Sequence, residues 1–378
     1  MLILNEDQKM LQESARGFLE SRSPVSALRK LRDDRSIDGF DRALWAEMAE
    51  MGWAGILVPE EHGGLGFGYV GAGILCEEMG RTLAASPFLS TSVMAATALR
   101  ASGTLGHQQR WLPGIAGGRA IIAAAVDEGR VHDPAGTALA AERHGNGFLL
   151  RGSKAVVVDG HVADAFIVAA RTAGAPGEKD GVTLFLVDAK AKGLSIERTI
   201  MLDSRNAASL QFDGVEATGA DILGETDAGY PLLEVMLGAG RAGLAAELAG
   251  IAAESFGRTV SYLKERKQFG RTIGSFQALQ HRAAHLFSEI EIVGSAVLNA
   301  LQALDRDANT ASLAVSVAKA KAASVARLAA QESVQMHGGI GMTDAVDIGL
   351  FMKRMQSASM LFGDVSFHAD RVALARGF

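Results

Sequence analysis

The chain has 378 residues, which at roughly 100–200 residues per domain is enough for two or three domains with cores of their own. Its 37 basic and 43 acidic residues give a formal charge of −6, with neither sign gathered into a long block, and this argues against a broad nucleic-acid-binding face. The single cysteine, Cys76, excludes a disulfide framework or a thiolate metal cluster within one chain and suits a reducing, cytoplasmic compartment.

The segment from Met1 to Gln8 meets acidic residues before any long apolar run, so no signal peptide is predicted. Asn5 is predicted to cap a helix, with Gln8 three residues later, and Leu11, Ala15 and Phe18 follow on one face. Residues 1–119 read as mainly helical. The longest uncharged stretch, Thr82 to Leu99, contains Pro87 and several hydroxyl groups, which argues against membrane insertion. Between residues 120 and 225 the texture changes to short β-branched or apolar runs separated by turn residues. Strands are predicted over Ala120–Val126, Gly147–Asp159, Ala165–Ala170, Val182–Asp188 and Ser209–Phe212, with an exposed loop over Thr172–Asp180. All 7 prolines lie at or before Pro231. The remainder, residues 226–378, carries helical spacing at Leu279, Leu286 and Ile290 and abundant alanine from Ala311 to Ala330, as a helical bundle requires. The predicted class is α+β, mainly α.

Three segments have spacings that composition does not explain. They are Val58-Pro-Glu-Glu-His-Gly-Gly-Leu-Gly66; Glu265-Arg-Lys-Gln-Phe-Gly270, continuing to Ile273-Gly-Ser-Phe-Gln277; and Gln335-Met-His-Gly-Gly-Ile-Gly341, followed by Arg354. In this order and at these distances the chain resembles the acyl-CoA dehydrogenase family over essentially its whole length. The resemblance implies an N-terminal helical domain, a middle β-domain and a C-terminal four-helix bundle. It also implies FAD as cofactor, an acyl-CoA substrate, and electron-transfer flavoprotein or a similar acceptor.

A guanidinium matches two phosphate oxygens through paired charge-assisted hydrogen bonds, so Arg266 is the candidate for the FAD pyrophosphate. By resemblance, Phe269 and Gln277 join it at the adenine-pyrophosphate half. Gln335, Gly338 and Gly339 resemble the turn that meets the same half of the cofactor from a neighbouring subunit, where bare glycine backbone allows close approach. The alternative is that Arg266 pairs with a nearby acid and that Gly338-Gly339 only ends a helix. Arg241, 25 residues before Arg266, resembles the family's arginine facing the active site; the alternative is a surface position among glycine and alanine.

The family's reaction removes a proton α to a thioester while a hydride leaves the β carbon for the flavin, so a carboxylate base is needed. Here both places where relatives carry that base are filled otherwise, by Phe362 and by Gly240 next to Arg241. Asp364 is the nearest carboxylate and the candidate base, its alternative role being a helix cap. Asp370 and Glu247 stand farther off. The flavin-facing loop also departs, running from Val126-Asp-Glu-Gly-Arg-Val-His132 to Gly136, and Lys154-Ala-Val-Val-Val158 replaces a Trp-Ile-Thr element, removing stacking area. Two readings follow: a dehydrogenase with a non-standard or missing base, or a silent partner in a heteromeric assembly. Either is expected to be oligomeric, as a homo-oligomer or as a heterotetramer with a related chain. No metal motif is present, and His281 and His285 read as a packed or solvent-facing pair.

Overall fold

The first helix begins where its cap places it. Asn5 Oδ1 accepts from the Gln8 amide at 2.8 Å and Gln8 Oε1 accepts from the Asn5 amide at 3.0 Å, so two otherwise orphaned N–H groups are satisfied. The computed structural model describes residues 3–378; Met1 and Leu2, where the signal-peptide reading begins, lie outside the described residues.

In chain order, helices α1 (Glu6–Arg22), α2 (Val25–Asp33), α3 (Arg42–Glu50) and α4 (Tyr69–Thr82) precede a π-helix (Phe88–Ala95), α5 (Ala96–Ala101) and α6 (Leu105–Ala116). The strands follow as β1 (Ile122–Ala125), β2 (Ala140–His144), β3 (Gly147–Val158), β4 (Ala165–Arg171), β5 (Val182–Asp188), β6 (Leu194–Ile200), β7 (Asn206–Ala217) and β8 (Ile222–Leu223). Helix α7 (Tyr230–Glu265) then leads through a hairpin, β9 (Lys267–Gln268) and β10 (Arg271–Thr272), to α8 (Gln277–Arg306), α9 (Ser312–His337), α10 (Ile348–Met360) and α11 (Val365–Ala375). The class is α+β and mainly α, as the sequence implies. The chain forms two compact units, each discontinuous. One runs to Asp33, from Tyr69 to Ala84 and from Arg241 to Phe378; the other takes Asp34–Gly68 and Ala85–Gly240.

In the helical unit α9 packs against α8, α10 and α11. Its buried face is rich in small residues, among them Ala318, Ala322, Ala323, Ala326, Ala329 and Ala330, so neighbouring helices approach closely. Helix α4 has no cap of its own; Asp305 near the end of α8 accepts from the Tyr69 amide at 2.6 Å and the Val70 amide at 3.1 Å, placing a carboxylate at a positive helix end. The crossing of α4 and α7 depends on glycine: a Cβ on Gly250 would lie 2.0 Å from the Glu77 carbonyl oxygen, and one on Gly80 would lie 2.3 Å from that of Glu247. Helix α7 is long and apolar enough to cross a membrane by length and composition, but 89% of its most apolar window is buried inside the protein. That marks a core helix.

The second unit holds the sheet, in the order β6-β7-β3-β2-β4-β5-β8, with β1 parallel to β4. Phe148, Leu150, Phe166, Val168, Phe185 and Phe212 form the centre of its core. Predicted strands over Gly147–Asp159, Ala165–Ala170 and Val182–Asp188 fall on β3, β4 and β5. The strand predicted at Ser209–Phe212 extends over Asn206–Ala217. Strand β6 has no counterpart among the predicted strands; it is an edge strand paired with β7 and largely exposed, and the alternation of Leu194, Ile196 and Ile200 is interrupted by Arg198.

Two alanine substitutions on α7 separate close packing from helix propensity. Gly250→Ala should lower unfolding stability by about 2 kcal/mol or more, as overpacking does. Gly257→Ala, with nothing within 4 Å of its added Cβ, should be neutral or stabilising by about 0.5–1 kcal/mol. Urea unfolding of both variants reads the difference, and equal stabilities would show that the helix crossing relaxes freely.

Candidate functional site

The residues expected to grip a cofactor lie together at one end of the helical unit. The Tyr262 ring near the end of α7 stacks on His337 near the end of α9, with centroids 4.4 Å apart. This sets the Arg266 hairpin beside the Gln335–Gly339 turn. Between β9 and β10 the turn consists of Phe269 (φ +54°) and Gly270 (φ +78°), the left-handed pair of a tight hairpin that normally favours Asn-Gly. A phenylalanine there is strained, and its ring is 90% exposed. Arg271 lies over Phe276 at 4.1 Å, and Phe269 meets Phe276 edge-on at 6.2 Å. Arg266 is exposed, and the alternative in which it pairs with an acid finds no partner among the described residues. Gln277 and Gln335 are exposed as well. Gly338 (φ +67°) does end α9, yet a Cβ on it or on Gly339 would meet nothing within 4 Å. An unpaired guanidinium, exposed aromatic rings and bare backbone fit the phosphate and ring chemistry of FAD's adenine-pyrophosphate half.

Arg241 lies elsewhere, 2% exposed on α7, so the surface alternative is excluded. Its Nε donates to the Phe362 carbonyl at 3.0 Å and its guanidinium lies 5.3 Å from the Phe367 ring centroid. Phe362 itself is buried, with φ +57°, and Gly363 follows at φ +107°. A Cβ on Gly363 would lie 2.4 Å from Phe367 Cδ1, so this turn between α10 and α11 requires glycine. Asp364 is exposed and caps α11, its Oδ1 accepting from the Phe367 amide at 2.9 Å. Glu247 is buried and held by Arg354 at 3.2 Å. Lys319 on α9 was not singled out in the sequence, although Val315, Lys319, Ala322 and Ala326 share helical spacing. It is fully buried, and its ammonium donates to three carbonyls around the same turn.

In the sheet unit, Glu128 ties down the loop that departs from the family pattern. Its carboxylate accepts from the amides of Ala138 and Leu139 and from Lys154 Nζ at 2.7 Å. Burial pushes Lys154 below the usual lysine range, with Glu128 opposing. Asp127 in that loop holds His132 Nδ1 at 2.8 Å. Val156, in the segment that replaces the Trp-Ile-Thr element, sits at a break in register between Lys154 and Val157 with φ +53°, a conformation a β-branched residue rarely adopts. The π-helix brings Met94 against Gly240: a Cβ on Gly240 would lie 2.8 Å from Met94 Sδ. The position beside Gly240 is therefore filled by a thioether, a contact that no sequence spacing reveals. His281 and His285 are both exposed on α8. Among the described residues no cluster of three His, Cys, Asp or Glu side chains could hold a metal.

Three family models match the chain: "Acyl-CoA dehydrogenase, N-terminal domain" over residues 5–119, the middle domain over 124–215 and the C-terminal domain over 227–375. Among solved structures, a variant of the Tcur3481-Tcur3483 steroid ACAD is 34% identical with a TM-score of 0.88, covering 98% of this chain and 98% of that one. The ChsE4-ChsE5 complex from Mycobacterium tuberculosis is 25% identical, TM-score 0.88, with 100% of each chain covered. The caffeyl-CoA reductase-Etf complex subunit CarC of Acetobacterium woodii is 29% identical over 90% of each chain.

The contact between Gly240 and Met94 generates a direct test. Gly240→Glu should lower stability by about 1–3 kcal/mol, because the new side chain must displace a packed thioether. Adding Met94→Ala should recover most of that loss in thermal unfolding. A double variant no more stable than Gly240→Glu would show that the two positions do not compete for space.

Proposed function

Because this chain belongs to the acyl-CoA dehydrogenase family, whose members are FAD-dependent flavoproteins, we propose that it is the cofactor-gripping subunit of a heteromeric acyl-CoA dehydrogenase. Its substrate is an acyl-CoA thioester oxidised at the α,β carbons, and the proton-accepting carboxylate comes from a related chain. The observation that carries this reading is the turn at Phe362. Phe362 cannot accept a proton, Gly240 is packed against Met94, and Glu247 is committed to Arg354. The two solved structures described above, each named for a pair of chains, support an assembly of this kind. The steroid relative supports a bulky acyl group, and the Etf-complex subunit supports electron-transfer flavoprotein as acceptor.

Bound FAD supplies the hydride acceptor. For their part, the Arg266 guanidinium offers paired N–H donors to pyrophosphate oxygens, Phe269 offers an aromatic face to the adenine, and Gln277 and Gln335 offer amide donors and acceptors. Gly338 and Gly339 leave room for the cofactor backbone. From Arg241 to Glu265, next to Arg266, α7 runs about 36 Å. Arg266 and Arg241 therefore serve separate regions of the chain. Arg241, holding the Phe362 carbonyl, orients the turn in the substrate region.

A second reading rests on one specific observation: Asp364 uses Oδ1 for its cap, while Oδ2 has no hydrogen bond to any described residue. On that reading Asp364 Oδ2 takes the α proton and the chain turns over alone. Anaerobic mixing with straight-chain and steroid-type acyl-CoAs, followed by flavin bleaching, separates the two. The heteromeric reading expects bleaching only after co-expression with a homologous chain, unchanged in Asp364→Asn, since asparagine caps a helix as well as aspartate does. Rapid bleaching of the isolated chain, lost in Asp364→Asn, would overturn it.

A further inference from the structure

Lys319 is a charged side chain with no solvent exposure, and its surroundings assign it a task. Nζ donates to the carbonyls of Ser359 at 2.9 Å, Ala358 at 3.1 Å and Gly363 at 3.2 Å. Three acceptors use all three donors of an ammonium. Ala358 and Ser359 belong to the last turn of α10, whose carbonyls have no partner within their own helix. Gly363 belongs to the turn that follows. Arg241 adds a fourth bond, to the Phe362 carbonyl at 3.0 Å. Cations from α7 and α9 thus hold four carbonyls within six residues, across a stretch where Phe362 and Gly363 both have positive φ.

We propose that Lys319 is a positioning residue, whose ammonium fixes the backbone path from α10 through Gly363 and thereby the direction in which the Phe362 side chain points. Its part in the reaction rests on the reading of this turn as substrate-facing given above; the clamp itself does not. A neutral lysine keeps two N–H donors and turns a lone pair toward the third carbonyl, so deprotonation loosens the clamp without emptying the site.

The charges around the ammonium place that loss near neutrality. Burial first, then the Arg241 guanidinium, pushes Lys319 down to about 7, against the opposing pull of Asp364 and Glu247. Arg354 on α10 is bonded to Glu247, His368 on α11 lies beside Gly363, and Arg371 on α11 reaches Ser312 of α9. The sign of the global effect is opposite to the local one. An unfolded lysine titrates near 10.4, so between about pH 7 and 10 the unfolded chain binds more protons, and this group makes overall stability rise with pH. Over the same window the turn loosens.

Hydrogen exchange resolves the two. The amides of Leu361, Phe367 and His368 are hydrogen-bonded around the turn and report on it by mass spectrometry. With intrinsic rates corrected, their protection in wild type should fall about fivefold between about pH 6 and pH 8.5, the order of one lost hydrogen bond. In Lys319→Met it should be low and independent of pH. Where Lys319→Met does not fold, the wild-type profile decides alone. Protection in wild type that stays flat or rises with pH, or a folded Lys319→Met that matches wild type at both pH values, overturns the proposal. Flavin content of the same preparations tests the cofactor reading separately: full flavin with a flat profile defeats only the clamp, and a pH-dependent turn in a protein that cannot take up FAD defeats only the cofactor reading.

Discussion

A single helix sets the terms for this molecule. Helix α7 carries Arg241 about a third of the way along, and the chain leaves it at Arg266, about 36 Å farther along its axis. No side-chain rearrangement shortens an α-helix, so the two arginines serve different places. Arg266 stands beside the Gln335–Gly339 turn through the stacking of Tyr262 on His337, and Arg241 stands under the Phe362 turn through a hydrogen bond to its carbonyl. The separation between the end proposed to grip the cofactor and the turn proposed to face the substrate is therefore built into the backbone.

The chemistry at the two ends differs in the same sense. At Arg266 the side chains are exposed, and the guanidinium makes no ion pair with any described residue. Around Phe362 nearly every polar group already has an internal partner: Glu247 with Arg354, Lys319 with three carbonyls, Asp364 with the first turn of α11. A reaction that needs a mobile proton acceptor is poorly served by carboxylates committed to ion pairs and caps, whereas a turn held by two buried cations makes a rigid wall. The same preference for order over reactivity recurs in the sheet unit, where Glu128 spends its oxygens on two amides and Lys154.

Much of this was legible in the residues. Asn5 and Gln8 announced the first helix because a capping box is local, and β3, β4 and β5 followed from apolar runs bounded by turns. Arg266 and the Gln335–Gly341 turn stood out because their spacing carries a family resemblance. Lys319 was legible in principle, since it falls in the buried stripe of α9 at i+4 from Val315 and i−3 from Ala322, but its charge disguised a core position. Met94 was not legible at all: its contact with Gly240 joins segments almost 150 residues apart through a π-helix, which has no sequence signature. Strand β6 is weakly marked in sequence because Arg198 breaks the alternation of Leu194, Ile196 and Ile200 on an exposed edge. The role of Asp364 stayed ambiguous in sequence because a cap and a base ask for the same side chain.

In the proposed assembly a second subunit completes the cofactor site. The most direct measurement is dilution of the flavin-loaded protein, following FAD fluorescence and molecular mass together, with Arg266→Ala as the comparison. FAD should be released in step with dissociation of the oligomer, and Arg266→Ala should bind roughly tenfold to a hundredfold more weakly, the loss expected for a charge-assisted hydrogen bond, while its helical content is unchanged. A monomer that retains FAD tightly, with or without Arg266, would contradict the account.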